Sequence, residues 1–476
     1  MAALERDDLD ALLGDQCEPV IVIGSVSSKP RLCPQIFATL VTCMASLSIG
    51  FALGFSSPTI KELQDSSLLN SPDQVSWYGS LMTVGAIAGG PIAGLLVEKV
   101  GRKTTLMMAN VPFSGGWILI VCANNYVMLF CGRILTGLAV GMNSLAAPVY
   151  LAEITTKELR GTLGSGFQLF VTFGILVVYA LGIVLDPQWL GNACGCVPAL
   201  MILLMLCLPE TPRWLFSKGL RTDGLASIRW LRGPDFDVEE ESMEIEANLQ
   251  VQNGQRRTLT EFCSNSALFK PLFISLGLMV FQQASGVNCV IFYANDIFTT
   301  AGYKANPHLP TVIIGAVLVV TTFISCILVD VVGRRPLLMI GSLFMTISHC
   351  AFGLYYFFTD VQHTHVNLSS LPLCSLVVFI AAFSLGWGSI PWLVMSEIFP
   401  VQFRGTASSI ATLLNWSMAF LITWQFNNMK ETFTQYGTFW FFGGWSLLGL
   451  IYVAVCLPET KGKSLEEIQE HFERHS

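Results

Sequence analysis

Residues 97–103 read VEKVGRK, and residues 329–335, 232 positions later, read VDVVGRR. Each stretch has a glycine followed by two basic residues, and each lies between two long apolar runs. Glycine permits the tight turn that a short connection between two helices needs. Two copies of one connection, so far apart in the chain, indicate an internal repeat.

Two further motifs recur in the same order. A glutamate lies seven residues before an Arg-Gly pair at Glu153 and again at Glu397, and the tripeptide PET occurs at residues 209–211 and 458–460. Three matched motifs predict two parallel halves. Transporters built in this way hold their substrate in a cavity between the halves, and access alternates as one half rocks against the other.

The composition is that of a membrane protein. Of 476 residues, 53% are hydrophobic and only 12% are charged, about half of the roughly 25% charged residues usual in a soluble domain. Crossing a hydrocarbon core of about 30 Å takes roughly 20 helical residues. Apolar stretches of this length start near Gln35, Val75, Thr104, Tyr126, Leu163, Trp189, Ala267, Leu309, Pro336, Pro372, Gly405 and Gly437. We therefore predict an all-α membrane protein with twelve transmembrane helices in two six-helix repeats.

The basic residues predict the orientation. With the N-terminus in the cytoplasm, all but four of the 26 lysines and arginines fall on the cytoplasmic side, as the positive-inside rule requires. Both termini are therefore predicted to be cytoplasmic. The predicted divisions are a cytoplasmic N-terminal segment at 1–34, a six-helix half at 35–208, a cytoplasmic linker with short helices at 209–266, a second six-helix half at 267–457 and a cytoplasmic tail at 458–476.

The repeated charges all lie at predicted helix ends on the cytoplasmic side. Charge pairs at a partly dehydrated interface are strong when made and costly when broken, so a set on one side only would hold the two halves together there. We predict that these charges gate access to the cavity; the alternative is that the basic residues only anchor the topology. The predicted gating residues are Arg102, Glu153, Arg160, Glu210, Arg334, Arg335, Glu397, Arg404 and Glu459.

Other classes of protein are disfavoured. The formal net charge of −7 gives no basic surface for nucleic acid. The 14 cysteines form no CxxC pair, and no nucleophile with its base, metal-ligand spacing or phosphate loop occurs. We predict a carrier in the lipid bilayer and not an enzyme, with no metal and no cofactor.

Several longer motifs resemble the sugar porters of the major facilitator superfamily. They are GRILTG at 132–137, PETPRWL at 209–215, FQQASGVN at 281–288, IPW at 390–392 and PETKGKSLEEI at 458–468. Within that family the chain most resembles the class III facilitated glucose transporters of the member-eight type and the facilitated trehalose transporters. The resemblance implies the major facilitator fold and the transport of a small-molecule sugar.

The resemblance also implies which residues bind the sugar. Neutral amides both donate and accept, so they can satisfy a ring of hydroxyls without a charge, and an aromatic face can cover the apolar side of a pyranose. Gln282 and Asn288 would face about 120° apart on a straight helix, so we expect a break near Ser285 and Gly286. The implied site residues are Gln168, Gln282, Gln283, Asn288, Trp392 and Asn415.

Some positions depart from the family pattern. Leu318 and Ser384 stand where glucose-selective members often have a polar amide and a glutamate, and Ala284 replaces a leucine of the usual QLS triplet. We expect facilitative uniport of hexoses such as glucose, with trehalose or another sugar as the alternative. Proton-linked relatives have an aspartate in the first helix, where this chain has Ala52. Proton-coupled symport is therefore the second alternative, and a non-transporting sugar sensor a remote one.

The first residues contain a candidate sorting signal. Asp8 lies four residues before the pair Leu12 and Leu13, the acidic dileucine pattern that clathrin adaptors bind. Class III transporters commonly have a dileucine here and reside in endosomes or lysosomes. They tend to carry their glycan between the ninth and tenth helices, where Asn367 begins the sequon NLS. We expect the endosome or lysosome membrane, with cycling to the plasma membrane; the alternative is the plasma membrane itself.

Overall fold

The structure is a computed structural model that describes residues 30–254, 269–303, 308–360, 370–399, 404–463 and 467. These residues form helices and their connections, without a β-strand in the ranges just given. The long helices of the first half are α1 (Leu32–Gly54), α2 (Pro72–Lys99), α3 (Arg102–Val121), α4 (Tyr126–Ile154), α5 (Lys157–Leu181) and α6 (Pro187–Leu206). Those of the second half are α7 (Phe269–Phe292), α8 (His308–Val332), α9 (Arg334–Asp360), α10 (Leu371–Ile398), α11 (Arg404–Thr432) and α12 (Thr434–Cys456).

Ten of these helices are long and apolar enough to cross a membrane, and α5 contains a shorter apolar stretch, Gly166–Leu181. The predicted all-α fold with twelve long helices is confirmed. Large apolar side chains point away from the bundle, including Val455 and Val184, which are 78% and 76% exposed. Such a surface is unfavourable in water and suits contact with lipid.

Small residues let the helices pack closely. A Cβ on Gly89 of α2 would lie 2.9 Å from the backbone nitrogen of Met142 in α4, and one on Gly116 of α3 would lie 2.9 Å from the carbonyl oxygen of Gly132. Helices in lipid associate through such close contacts, because the bilayer offers no hydrophobic gain for pairing them. Close backbone packing at glycines therefore contributes to holding the helices of the first half together.

The bundle has two chemically different ends. We call one end of the bundle the charged end; α3 and α9 begin there, at Arg102 and Arg334. At the other end, called the opposite end, α2 and α8 begin. Two short helices, Ser56–Asp65 and Ala294–Thr300, lie at the opposite end, whereas Pro212–Ser217, Arg221–Arg232 and Val238–Gly254 lie between α6 and α7.

The two halves contact each other closely at the opposite end. Tyr179 of α5 donates from its hydroxyl to the carbonyl oxygen of Ile291 at 2.7 Å. The amide of Asn427 in α11 donates to Ser76 in α2 at 2.8 Å. Tyr293, only 1% exposed, packs its ring against the backbone of Gly79 in α2. The halves are therefore closed against each other at this end.

Candidate functional site

Helix α7 is broken in the middle of the bundle. Its first segment ends at Ala284 and its second begins at Val287. Between them Gly286 has φ +80°, a left-handed conformation that suits glycine, and a Cβ there would lie 2.6 Å from the ring of Phe442. The break that the sequence predicted near Ser285 and Gly286 is present.

Four amide side chains form one chain of hydrogen bonds across this break. Asn288 donates to Gln283 at 2.7 Å, and Gln283 donates to Asn415 of α11 at 3.1 Å. Asn415 in turn donates to Gln282 at 2.7 Å, and Gln282 donates to the backbone carbonyl of Trp387 in α10 at 2.6 Å. The residues Gln282, Gln283, Asn288 and Asn415 are called the amide network below.

The amide network is largely buried and carries no charge. Gln282 and Asn415 are each 3% exposed, and Asn288 is half-buried. Each of the bonds described above joins an amide to another amide or to a carbonyl, so no ionic charge is needed to satisfy the cluster. The buried indole nitrogen of the adjacent Trp416 has no hydrogen-bond partner among the described residues. The arrangement suits a neutral ligand with many hydroxyls, because hydroxyls can replace amide partners one for one.

Two other predicted site residues are not hydrogen-bonded to the network among the described residues. Gln168 of α5 and Trp392 of α10 are both half-buried. Trp392 packs against the large apolar core that includes Val394 and Met395. Within the described part of the chain, the hydrogen bonds do not connect Gln168 to the amide network. Their roles as sugar-binding residues stay predictions.

The charged end of the first half has a compact cluster of side chains. Arg102 at the start of α3 pairs with Glu153 near the end of α4 at 2.9 Å, and Thr211 donates to the second oxygen of Glu153 at 2.7 Å. The carboxylate of Glu210 accepts the backbone N–H groups of Arg102 and Lys103 at 3.0 and 3.1 Å. It therefore caps the start of α3, where free N–H groups favour a negative charge.

The second half repeats the main bonds of this cluster. Arg334 at the start of α9 pairs with Glu397 at 2.9 Å, and Thr460 donates to Glu397 at 2.7 Å. Glu459 accepts the backbone N–H groups of Arg334 and Arg335 at 3.1 and 3.0 Å. The internal repeat predicted from the motifs therefore extends to individual hydrogen bonds.

The geometry of these clusters differs from the expected one in one respect. The sequence argument had the charges joining the two halves directly, whereas the bonds just described join segments within one half. The first cluster fastens the start of the linker to α3 and α4, and the second fastens the tail to α9 and α10. Each half contains its own copy of all three motifs. The residues of one copy can therefore bind one another and bring together helix ends of the same half. Whether the clusters gate access stays a prediction.

The two capping carboxylates differ in environment. Burial raises the pKa of Glu210 above its usual value, and this outweighs the backbone N–H groups that stabilise the ionised form. Burial opposes ionisation of Glu459 as well, but its backbone N–H donors prevail and lower its pKa. The same connectivity therefore supports the charged form more strongly in the second half.

Sequence reasoning missed three contributors to these clusters. Thr211 and Thr460 bridge the tail or linker to Glu153 and Glu397, and the repeated PET tripeptide contained that signal. Arg232 in the linker was also missed. It is 3% exposed, pairs with Glu241 at 2.8 Å and donates to the carbonyl of Ile154 at 2.7 Å. It fastens the linker to the end of α4.

Arg133 is buried in α4 near the opposite end. Its guanidinium donates to the carbonyl of Ala52 at 3.0 Å, to the hydroxyl of Ser56 at 2.7 Å and to the carbonyl of Tyr78 at 3.3 Å. Among the described residues it has no carboxylate partner within salt-bridge distance. This arginine is satisfied by neutral oxygens from α1, from the short helix Ser56–Asp65 and from α2, and it fastens α4 to these three helices.

Several predicted functional residues lie outside the described part of the structure. The side chains of Arg160 and Arg404 are among them, as are the sorting residues Asp8, Leu12 and Leu13 and the glycosylation residue Asn367.

A broken helix with a buried neutral amide network, set in twelve helices with two matched charge clusters, defines a membrane carrier of the major facilitator fold. The family model described as "Sugar (and other) transporter" matches residues 38–472. The chain belongs to this sugar transporter family.

Individual relatives agree with this assignment. The chain is 40% identical over 468 residues to the facilitated glucose transporter member 8 of solute carrier family 2 from Bos taurus, covering 94% of this chain and 96% of the relative. It is 39% identical over 453 residues to the facilitated trehalose transporter Tret1 of Apis mellifera ligustica, covering 94% and 89%. These relatives are named as transporters and not as enzymes.

Solved structures show the same fold. The proton:xylose symporter XylE bound to 6-bromo-6-deoxy-D-glucose superposes with a TM-score of 0.76 at 26% identity, over 92% of this chain and 99% of the other. XylE from E. coli in a partially occluded inward open conformation gives a TM-score of 0.77 at 25% identity, over 91% and 100%.

Proposed function

We propose that the protein is a facilitative uniporter of hexoses such as glucose, which works by alternating access. The observation that carries this proposal is the amide network, which lies at the break of α7 and reaches α10 and α11. A carrier must release its cargo, and a site whose amides already satisfy one another binds a sugar by exchange of hydrogen bonds. Such exchange gives a modest net free energy, about 0.5–1.5 kcal/mol for each bond.

The contacts at the opposite end indicate which step of alternating access this conformation would represent. With Tyr179, Tyr293 and Asn427 joining the halves there, a sugar at the amide network would have to leave through the charged end. Positive-inside placement makes the charged end cytoplasmic. The gating residues would then act by holding each half's linker or tail in place, so that closure of the charged end brings two preassembled clusters together.

Uptake into proteoliposomes tests the proposal. Labelled glucose, fructose and trehalose are each presented to purified protein, and equal vesicles without protein give the background. The proposal expects saturable uptake of a hexose that stops when internal and external concentrations are equal. Saturable uptake of trehalose without uptake of either hexose would replace hexose by disaccharide as the substrate. That alternative is kept open by Leu318 and Ser384, which offer fewer polar partners than the amide and the glutamate that glucose-selective relatives often have at these positions.

Uniport is favoured over proton symport by the surroundings of α1. A proton carrier needs a titratable group exposed to each side in turn, and Ala52 occupies the position at which proton-linked relatives have an aspartate. The carbonyl of Ala52, and not a carboxylate, accepts from Arg133. We expect uptake to be insensitive to a protonophore, and sugar accumulation that a protonophore abolishes would show symport instead.

We also propose an intracellular location, with Asn367 as the glycosylated residue. Asp8, Leu12 and Leu13 would be bound by a clathrin adaptor that retrieves the protein to endosomes or lysosomes. Surface biotinylation of the wild type and of a Leu12→Ala, Leu13→Ala variant is the test. A protein that is already mostly at the plasma membrane, with no change in the variant, would refute this location. Loss of a mobility shift on glycosidase treatment after Asn367→Gln would identify the glycan site.

A further inference from the structure

His349 of α9 lies fully buried beside the break in α7. Its Nε2 is 3.0 Å from the backbone carbonyl oxygen of Ser285, the first residue after the end of the first segment of α7. A carbonyl oxygen only accepts hydrogen bonds, so Nε2 carries the hydrogen and donates it. The histidine therefore supplies a donor from another helix to a carbonyl at the interrupted part of α7.

The other ring nitrogen defines the state of the histidine. Nδ1 is buried and has no hydrogen-bond partner among the described residues. Phe379, Phe439 and Phe442 surround the ring, with ring centroids 4.3, 6.1 and 6.0 Å away. A polar atom left unpaired in an apolar environment is costly. Burial therefore costs free energy at Nδ1, and among the described residues the hydrogen bond of the ring is the one from Nε2 to Ser285.

We propose that His349 is a positioning residue for the sugar site, which fixes the break in α7 and thereby the place of Asn288. Ser285 connects the two: its hydroxyl donates to the carbonyl of Gln282 at 2.7 Å, and its own carbonyl accepts from His349. Three residues further along, Asn288 donates to Gln283. Ser285, which accepts the bond from His349, thus lies in sequence between Gln282 and Asn288, the two residues that the break brings to the same side of α7.

Phe442 also restrains the break in α7, by steric contact. Its ring lies against Gly286, so that a Cβ on the glycine would be 2.6 Å from it, and it also contacts the ring of His349. The break is therefore held from two directions, by a hydrogen bond at Ser285 and by an aromatic ring at Gly286. This inference rests on the proposed sugar site for its effect on binding, but the contact with the break does not depend on it.

Three variants of the full-length protein separate the hydrogen bond from the packing. His349→Phe keeps an aromatic ring among the three phenylalanines and removes the donor. His349→Gln restores a donor, because its amide nitrogen is four bonds from Cα, as Nε2 of histidine is. Ser348→Ala is the matched control, since the neighbouring buried hydroxyl donates only to the carbonyl of Met345 in its own helix.

Hydrogen exchange and sugar binding are measured on each variant. In His349→Phe we expect the amides of Val287–Phe292 to exchange about tenfold faster and the Kd for D-glucose to rise about tenfold. We expect His349→Gln to restore both quantities to within about threefold of the wild type, and Ser348→Ala to change neither.

Three results decide the matter. Unchanged exchange over Val287–Phe292 in His349→Phe would overturn the proposal. So would equally accelerated exchange throughout α9 and α12, because His349 would then be a general packing residue. If the wild type binds neither D-glucose nor another hexose but the exchange of Val287–Phe292 responds as expected, the proposed function fails while the assignment of His349 to the break stands.

Discussion

Replacing Gln282 with leucine tests the amide network directly. Gln282 donates to the carbonyl of Trp387 at 2.6 Å and accepts from Asn415 at 2.7 Å. Leucine has a similar volume but neither donates nor accepts. The substitution therefore leaves one carbonyl and one amide N–H of the network without their partner, at the position where hydroxyls of a sugar would bind.

The size of the effect can be estimated from these bonds. A hydrogen-bonding group lost from a buried site costs about 1–3 kcal/mol, and 1.4 kcal/mol corresponds to a factor of ten in affinity. We expect the KM for glucose uptake to rise at least about tenfold in Gln282→Leu. The fold should persist, because the two side chains are close in volume and the other contacts of α7, among them the bond from His349 to Ser285, remain.

Initial uptake rates in proteoliposomes with equal amounts of inserted protein measure this effect. Gln425→Leu is the control: it also removes a glutamine from a long helix, but its amide oxygen accepts only from Asn428 of the same helix in the structure. Unchanged KM and kcat in a normally inserted Gln282→Leu protein would refute the placement of the sugar at the amide network. Equal loss in both variants would show a general effect of removing an amide.

Three further substitutions test other parts of the structure. Glu397→Gln removes the charge that pairs with Arg334, so we expect severalfold faster labelling of cysteines engineered at the charged end; equal labelling would mean that the charge serves topology alone. Gly286→Ala forces a side chain into a left-handed residue and against Phe442, so thermal stability should fall by several degrees, and an unchanged Tm would contradict the observed break. Ala52→Asp places a carboxylate beside Arg133, so uptake should become dependent on pH, and an unchanged pH profile would show that this position does not control coupling.

The number and type of the long helices were predictable from the sequence alone. Apolar runs of roughly 20 residues have few structural solutions in a bilayer, because each backbone polar group must be satisfied within the helix. Helix starts were less predictable. Residue 163 was expected to begin α5, which instead begins at Lys157, since polar residues at a helix end dilute the apolar signal without breaking the helix. By contrast, α4 begins at Tyr126 as expected, where Asn125 caps it.

The site was predictable as a set of residues and not as a set of bonds. The spacing of Gln282 and Asn288 required a break in α7, and the glycine between them marked its place. That Asn415 would link the two glutamines, and that Gln282 would donate to a backbone carbonyl of α10, depends on the register of helices distant in sequence. The partner of His349 could not be predicted from the sequence either, because every residue has a backbone carbonyl and nothing in the sequence marks that of Ser285.

The charged end shows how a repeated motif can acquire unequal properties. Glu210 and Glu459 accept corresponding backbone N–H groups at the starts of α3 and α9. Burial nevertheless raises the pKa of Glu210, whereas the N–H donors lower the pKa of Glu459. A depressed pKa means that the ionised carboxylate stabilises its attachment above the usual pKa of about 4.5, and that this contribution is lost as the pH falls through the lowered pKa. A raised pKa has the opposite sign, so acid does not weaken the cap at Glu210 in the same way. The backbone N–H donors therefore favour the ionised carboxylate where the tail is attached, whereas burial disfavours it where the linker is attached. In the linker, Arg232 makes an additional contact with the end of α4. Two copies of one motif thus differ in the balance between burial and hydrogen bonding that sets the charge of their capping carboxylates.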